Sequence, residues 1–157
     1  MKSFELVLFA DYFQFYIQDE AAKGDLSQAW NEEATDRLLA LAPGTVGIGT
    51  VRNMDVPITV DILEHAPADD FSEWDHVVEA GLDVTSGRIV IAGCTDYFPD
   101  AKRVEVPPGA YRVRVSYGAL DTVSEDGLSG DDRYRLQLWL AALSAVRILK
   151  QRLKQVP

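Results

Sequence analysis

Imidazole and thiol chemistry in this chain would have to come from three residues, His65, His76 and Cys94. A zinc centre needs three or four Cys, His or acidic ligands at close spacing. The two histidines stand eleven residues apart. His76 and Glu79, an odd number of residues apart in a strand-like run, point to opposite faces. A cysteine nucleophile needs a base beside it. His76 with Asp75 or Asp96 could be assembled around Cys94 on paper, but Cys94 closes the apolar run Ile89–Gly93 and reads as a small buried hydrophobe. No Gly-x-Ser-x-Gly occurs, and Ser86 sits in a Ser-Gly turn that explains it. Gly44, Gly47 and Gly49 lack the spacing and the Lys-Ser/Thr of a phosphate loop. Strand glycines that leave room for close packing account for them better. No catalytic residue, metal site or cofactor emerges, so the chain reads as a binding protein and not as an enzyme.

Acidic clusters are what remains. Asp69, Asp70, Glu73 and Asp75 fall within seven residues around Trp74, and Glu125-Asp126 and Asp131-Asp132 crowd a second loop. Neither matches an EF-hand loop, although calcium between converging loops or a carboxylate pair stays open. The plain reading is solvated loop acids. The sharper one makes Asp69, Asp70, Glu73, Trp74 and Asp75 a partner-binding surface for a basic protein, with an exposed Trp74 adding apolar contact. Arg52 reads as one half of a structural salt bridge.

The net charge of −10 is uneven. Residues 1–80 hold 16 acids and 4 bases, and residues 81–157 hold 9 and 11. An acidic half argues against nucleic acid and anionic membranes, which call for Lys and Arg. No apolar run approaches a bilayer span. Glu5 interrupts the apolar start, which argues against a signal peptide and for a strand. A lone cysteine excludes an internal disulfide and suits the cytoplasm.

The elements that would position these groups are mostly strands. Period-2 alternation runs through Phe13–Ile17, Val56–Ile62, Val78–Val84, Tyr111–Tyr117 and Tyr134–Leu140. Pro57 implies an edge position or a strand start. Ser86-Gly87 predicts a hairpin into Arg88–Ile91. Adding 4–9, 46–51 and 103–106 gives about nine strands. Leu26, Trp30, Ala34, Leu38 and Leu41 recur at helical spacing, with Asp25 as cap and Pro43-Gly44 as stop. Leu143, Val146, Leu149 and Leu153 fit a second, short C-terminal helix. The expectation is one domain over 1–157, a mainly β antiparallel sandwich with one amphipathic helix in its N-terminal half. Gly118–Asp132 is the longest structureless segment, a length that is uncommon unless functional or mobile.

The order of these segments carries a resemblance. It runs from Trp30 through the glycine-rich strand to Arg52-Asn53 and Val56-Pro57-Ile58. Next come Trp74-Asp75-His76-Val77-Val78-Glu79-Ala80, Leu82–Gly87, Pro107-Pro108-Gly109-Ala110-Tyr111-Arg112-Val113 and Leu138-Trp139. Over roughly residues 3 to 140 this layout resembles the ComJ family of competence-associated DNA-entry nuclease inhibitors, and related bacterial β-sandwich proteins. The resemblance implies a compact β-sandwich that binds and blocks a secreted or membrane-associated nuclease, and the leading reading is a protein-binding sandwich of nuclease-inhibitor or immunity-protein type, acting on a nuclease or toxin. It carries over no inhibitory residues. The basic segment Arg147–Lys154 and the long acidic loop depart from it. The rival readings are a small-ligand or calcium-binding sandwich with hydrolytic activity, and a structural module whose edge strands pair in a homodimer.

Overall fold

Each run of alternating apolar residues forms a strand in the computed structural model, which describes residues 2–153. The strands are β1 (Lys2–Phe9), β2 (Gln14–Asp19), β3 (Leu39–Ala42), β4 (Thr45–Gly49), β5 (Asp55–Ile62) and β6 (His76–Val84). They continue as β7 (Arg88–Gly93), β8 (Lys102–Glu105), β9 (Gly109–Gly118), β10 (Arg133–Leu140) and β11 (Arg147–Lys150). One sheet has six strands in the order β1-β5-β10-β9-β6-β11, and the other has five, β3-β4-β2-β7-β8. All pairs are antiparallel except β10 with β5.

Between the sheets lie the inward halves of the alternating runs. Ile58, Val60, Leu82, Val113, Val115 and Leu136 come from the six-stranded sheet, and Phe15, Ile17, Ile48, Ile89 and Ile91 from the other. Burying such side chains contributes roughly 1.5–3 kcal/mol each, which is what joins the sheets. At one end of the core the rings of Phe15, Tyr134, Tyr117 and His76 meet edge to face, with centroids 6.1, 5.8 and 5.0 Å apart in turn. Pro57 is the third residue of β5, ahead of the β10 pairing that begins at Ile58, so its missing N–H costs the sheet nothing.

Four expectations need correction. The strands number eleven, not nine, because β3 and β11 are added. The helix is shorter than its spacing implied: α1 spans only Glu32–Arg37, with Asn31 accepting from the Ala34 N–H as its cap. Asp25 instead accepts from the Ser27 N–H, closing a local turn, and Leu38 ends α1 in a left-handed conformation. Leu26 and Trp30 pack over Gly47 and Gly49, whose missing side chains leave them room. That close approach is the role the strand glycines were expected to play.

The C-terminal helix is absent as well. Residues 141–146 cross the outer face of the six-stranded sheet without regular structure, and Arg147–Lys150 pair with β6. Gly81 gives Leu143 space, while the Arg112 guanidinium donates to the carbonyls of Ser144 and Ala145. Finally, Ser86-Gly87 makes no hairpin. β6 and β7 lie in different sheets, and the chain crosses between them there. The Asp19 carboxylate fixes the crossing, accepting from the Thr85 hydroxyl at 2.7 Å, the Ser86 N–H at 3.1 Å and the Ser86 hydroxyl. Despite partial desolvation, these bonds hold the Asp19 carboxyl below its usual range.

Candidate functional site

The outward half of the β6, β9 and β10 alternation is charged. Glu79 accepts from Arg112 at 3.0 Å and from Arg114 at 2.7 Å, with all three side chains buried. The connection from β5 to β6 lies over this arginine-rich face. Asp70 takes a two-point hold from Arg135, at 2.7 and 2.8 Å, and those bonds keep its carboxyl below the usual range. Asp69 pairs with Arg114 at 3.3 Å although its side chain is 69% exposed. Trp74 is only 6% exposed, with its ring against the guanidinium groups of Arg133 and Arg135, 4.1 and 4.5 Å from the centroid. Two of the acids read as partner-binding are thus engaged internally, and the indole anchors the loop from beneath. Glu73 and Asp75 remain exposed.

Asp75 links this loop to the acidic end of the sandwich, accepting from the Leu120 N–H at 2.8 Å. Segments 10–13, 31–38, 50–54, 71–75, 94–101, 119–132 and 151–153 gather there. Among the described residues they hold thirteen of the 25 acids and three of the 14 bases, a net of −10, and the other described residues carry twelve acids and eleven bases. Nearly all the net charge of the described residues therefore sits at one end. Among the described residues Asp121, Glu125, Asp126 and Asp131 form no ion pair. Of the bases there, Arg52 is matched by buried Asp132 at 2.9 Å, the structural salt bridge expected of it.

The 119–132 connection is tied down. Asn53 donates its N–H to the Gly127 carbonyl at 2.7 Å, Ser124 to Ser129 at 2.7 Å, and Asp131 to the Thr122 hydroxyl at 2.8 Å. Behind it, the Tyr134 hydroxyl donates to Asp132 at 2.5 Å and is pushed well up by burial and that carboxylate. His76, fully buried, bolts three elements together. Its Nε2 donates to the Arg37 carbonyl at 2.7 Å and its Nδ1 accepts from the Arg152 N–H at 3.1 Å, which fixes the neutral tautomer. Burial holds its pKa below 6.5.

Apolar groups stand among these acids. Tyr12 is 70% and Phe13 46% exposed, and both adopt left-handed backbone conformations, φ 61° and 59°. That conformation costs roughly 1–2 kcal/mol per non-glycine residue. Three contacts impose it: the Phe13 N–H donates to the Ala10 carbonyl, the Tyr12 N–H to the Asp11 carboxylate, and the Thr50 N–H to the Phe13 carbonyl. Met54 and Leu128 are also exposed nearby, and Gly127 packs on the Phe13 ring. Sequence reasoning placed Phe13 inside a strand and missed this knuckle. The signal was a change of phase: inward residues are even-numbered up to Leu8 and odd-numbered from Phe15.

On the outer face of the five-stranded sheet, β2 floors an open trough of about 620 Å³, walled by Leu26 and Trp30 on one side and Cys94 and Phe98 on the other. Cys94 is exposed, not a buried hydrophobe. Partial desolvation of its sulfur, with the carboxylates of Asp11 and Asp96, pushes the thiol up. Burial pushes the Tyr16 phenol up too. The trough offers hydrogen-bonding groups and no activated nucleophile. Among the described residues no group of three His, Cys, Asp or Glu side chains could hold a metal ion, and no helix is long and apolar enough to cross a membrane.

No family model matches the chain, and no curated relative does. Two solved structures share its architecture. One is ComJ, inhibitor of the DNA-degrading activity of NucA, from Bacillus subtilis. It has a TM-score of 0.67 and 20% identity over 89% of this chain and 98% of its own. The other is the product of crocagin biosynthetic gene J, with a TM-score of 0.60 and 16% identity over 90% and 98%. The resemblance carried by the order of segments holds at the level of the fold, and this chain has the architecture of ComJ.

Proposed function

We propose that this protein binds a basic protein of nuclease or toxin kind with its acidic end and blocks it, without catalysis of its own. The observation that carries the reading is the concentration of nearly all the net charge of the described residues at one end, around a fixed pair of exposed aromatics. Long-range attraction draws a basic partner to that end, and Tyr12 and Phe13 supply the apolar contact that acids lack. ComJ, of the same fold, is an inhibitor of a nuclease, which lends support to an active site as target. Within the 69–75 loop, Glu73 and Asp75 face the partner, while Asp69, Asp70 and Trp74 set the loop's position.

The test is inhibition of DNA degradation by NucA and by a panel of basic nucleases and nuclease toxins, with titration at two salt concentrations. Inhibition of at least one is expected. Neutralising Glu125, Asp126 and Asp131 together to amides should weaken it on the order of tenfold at low salt, and less at high salt. An inhibited nuclease indifferent to that change would remove the acidic end from the interface.

A further inference from the structure

The sandwich has four sheet edges, and three of them are guarded. β3, β8 and β11 are only four residues each. β8 carries Lys102, Arg103 and Glu105, β11 carries Arg147 and Lys150 and has a shift in register, and β3 runs straight into Pro43. Short length, charge, bulges and proline are the means by which edges avoid pairing. β1 lacks the short length, the bulge and the proline, and Glu5 is the one charge along its middle. It is eight residues long, pairs with β5 in unbroken register, and contains no proline and no inward charge. Its inward residues Phe4, Leu6 and Leu8 are only half-buried, and outward Val7 is 65% exposed.

The free hydrogen-bonding groups of this edge can be assigned. The Ala10 N–H donates to the Met54 carbonyl, one step beyond the register that pairs Leu8 with Val56. Bonding to β5 therefore falls on even-numbered residues, and Ser3, Glu5 and Val7 turn their N–H and C=O away from the sheet. We propose that this edge joins a second copy of the chain, β1 against β1 antiparallel, about a two-fold axis through Leu6. Glu5 of each copy then exchanges both backbone bonds with Val7 of the other, and Phe4 meets Leu8 on the core side. Lys2 comes beside Asp11 of the second copy, opposite in charge. An axis through Glu5 would set two carboxylates face to face, and is excluded by that repulsion. The product is one continuous twelve-stranded sheet built from two six-stranded ones. The interface lies along the side edge of the sheet and reaches the acidic end only at Asp11.

Sedimentation equilibrium on the purified protein tests it, with twice the chain mass of 17.4 kDa expected. Val7→Pro removes an N–H that β5 does not use, so it should give a folded monomer whose thermal midpoint loses only what association adds and no longer depends on protein concentration. In a Cys94→Ser background, Leu6→Cys should oxidise to a disulfide-linked dimer and Glu5→Cys should not. A wild-type monomer at every concentration overturns the proposal, as does a Val7→Pro variant that stays dimeric. Cross-linking through Glu5→Cys in place of Leu6→Cys overturns the register.

Discussion

The outer face of the six-stranded sheet and the acidic end differ in what their acids do. On the face, Glu79, Asp69 and Asp70 each meet an arginine of β9 or β10. At the end, Asp121, Glu125, Asp126 and Asp131 pair with no base among the described residues. In the sequence the two clusters look alike. The difference shows that a run of acids becomes an available charge only where the fold supplies no arginine for it.

Removing the most enclosed pair should give the largest effect. Glu79→Ala strands two buried guanidinium groups, and denaturant unfolding should show a loss of about 3–5 kcal/mol. Tyr134→Phe deprives Asp132 and the Val51 N–H of a buried partner and should cost about 1–3 kcal/mol by the same measurement. Acid titration of stability probes both regions. His76 has its folded pKa below the 6.5 of the unfolded chain, so it binds protons more readily unfolded. Stability is full above pH 6.5 and falls as pH drops below it. His76→Gln, which can still donate and accept, should flatten that part of the profile. Asp70, lowered from 3.8, adds a second loss as pH falls through 3.8 and below, and Asp70→Asn should abolish it at a cost of about 1 kcal/mol near neutral pH. Least of all, Glu125→Gln with Asp131→Asn should change stability by under about 0.5 kcal/mol. A large loss there would show that the end acids are structural after all.

The strands were legible because period-2 alternation is a local property, and it survives in β5, β6, β9 and β10. The helix was not, since Leu26 and Trp30 keep a spacing of four while packing on a sheet. What chooses between those outcomes is space above Gly47 and Gly49, a tertiary fact. β11 forms because β6 offers it an edge and Arg112 catches the carbonyls before it, neither of which lies nearby in sequence. The sandwich and the ComJ-like order of segments were readable. The inner loyalties of Asp70 and Trp74 were not, because Arg133 and Arg135 lie about sixty residues downstream.

The parallel pair of β5 and β10 has a consequence for how the protein is made. β10 lies between β5 and β9, so residues 133–140 complete a sheet whose other central strands have already left the ribosome. Until then the β1 and β5 pair and the β9 and β6 pair are joined only through the other sheet, where β2 meets β7, and long-range pairings of this kind close slowly. A released chain truncated before residue 133 would present both β5 and β9 as open apolar edges, and would be a substrate for chaperones before it could be a binding protein.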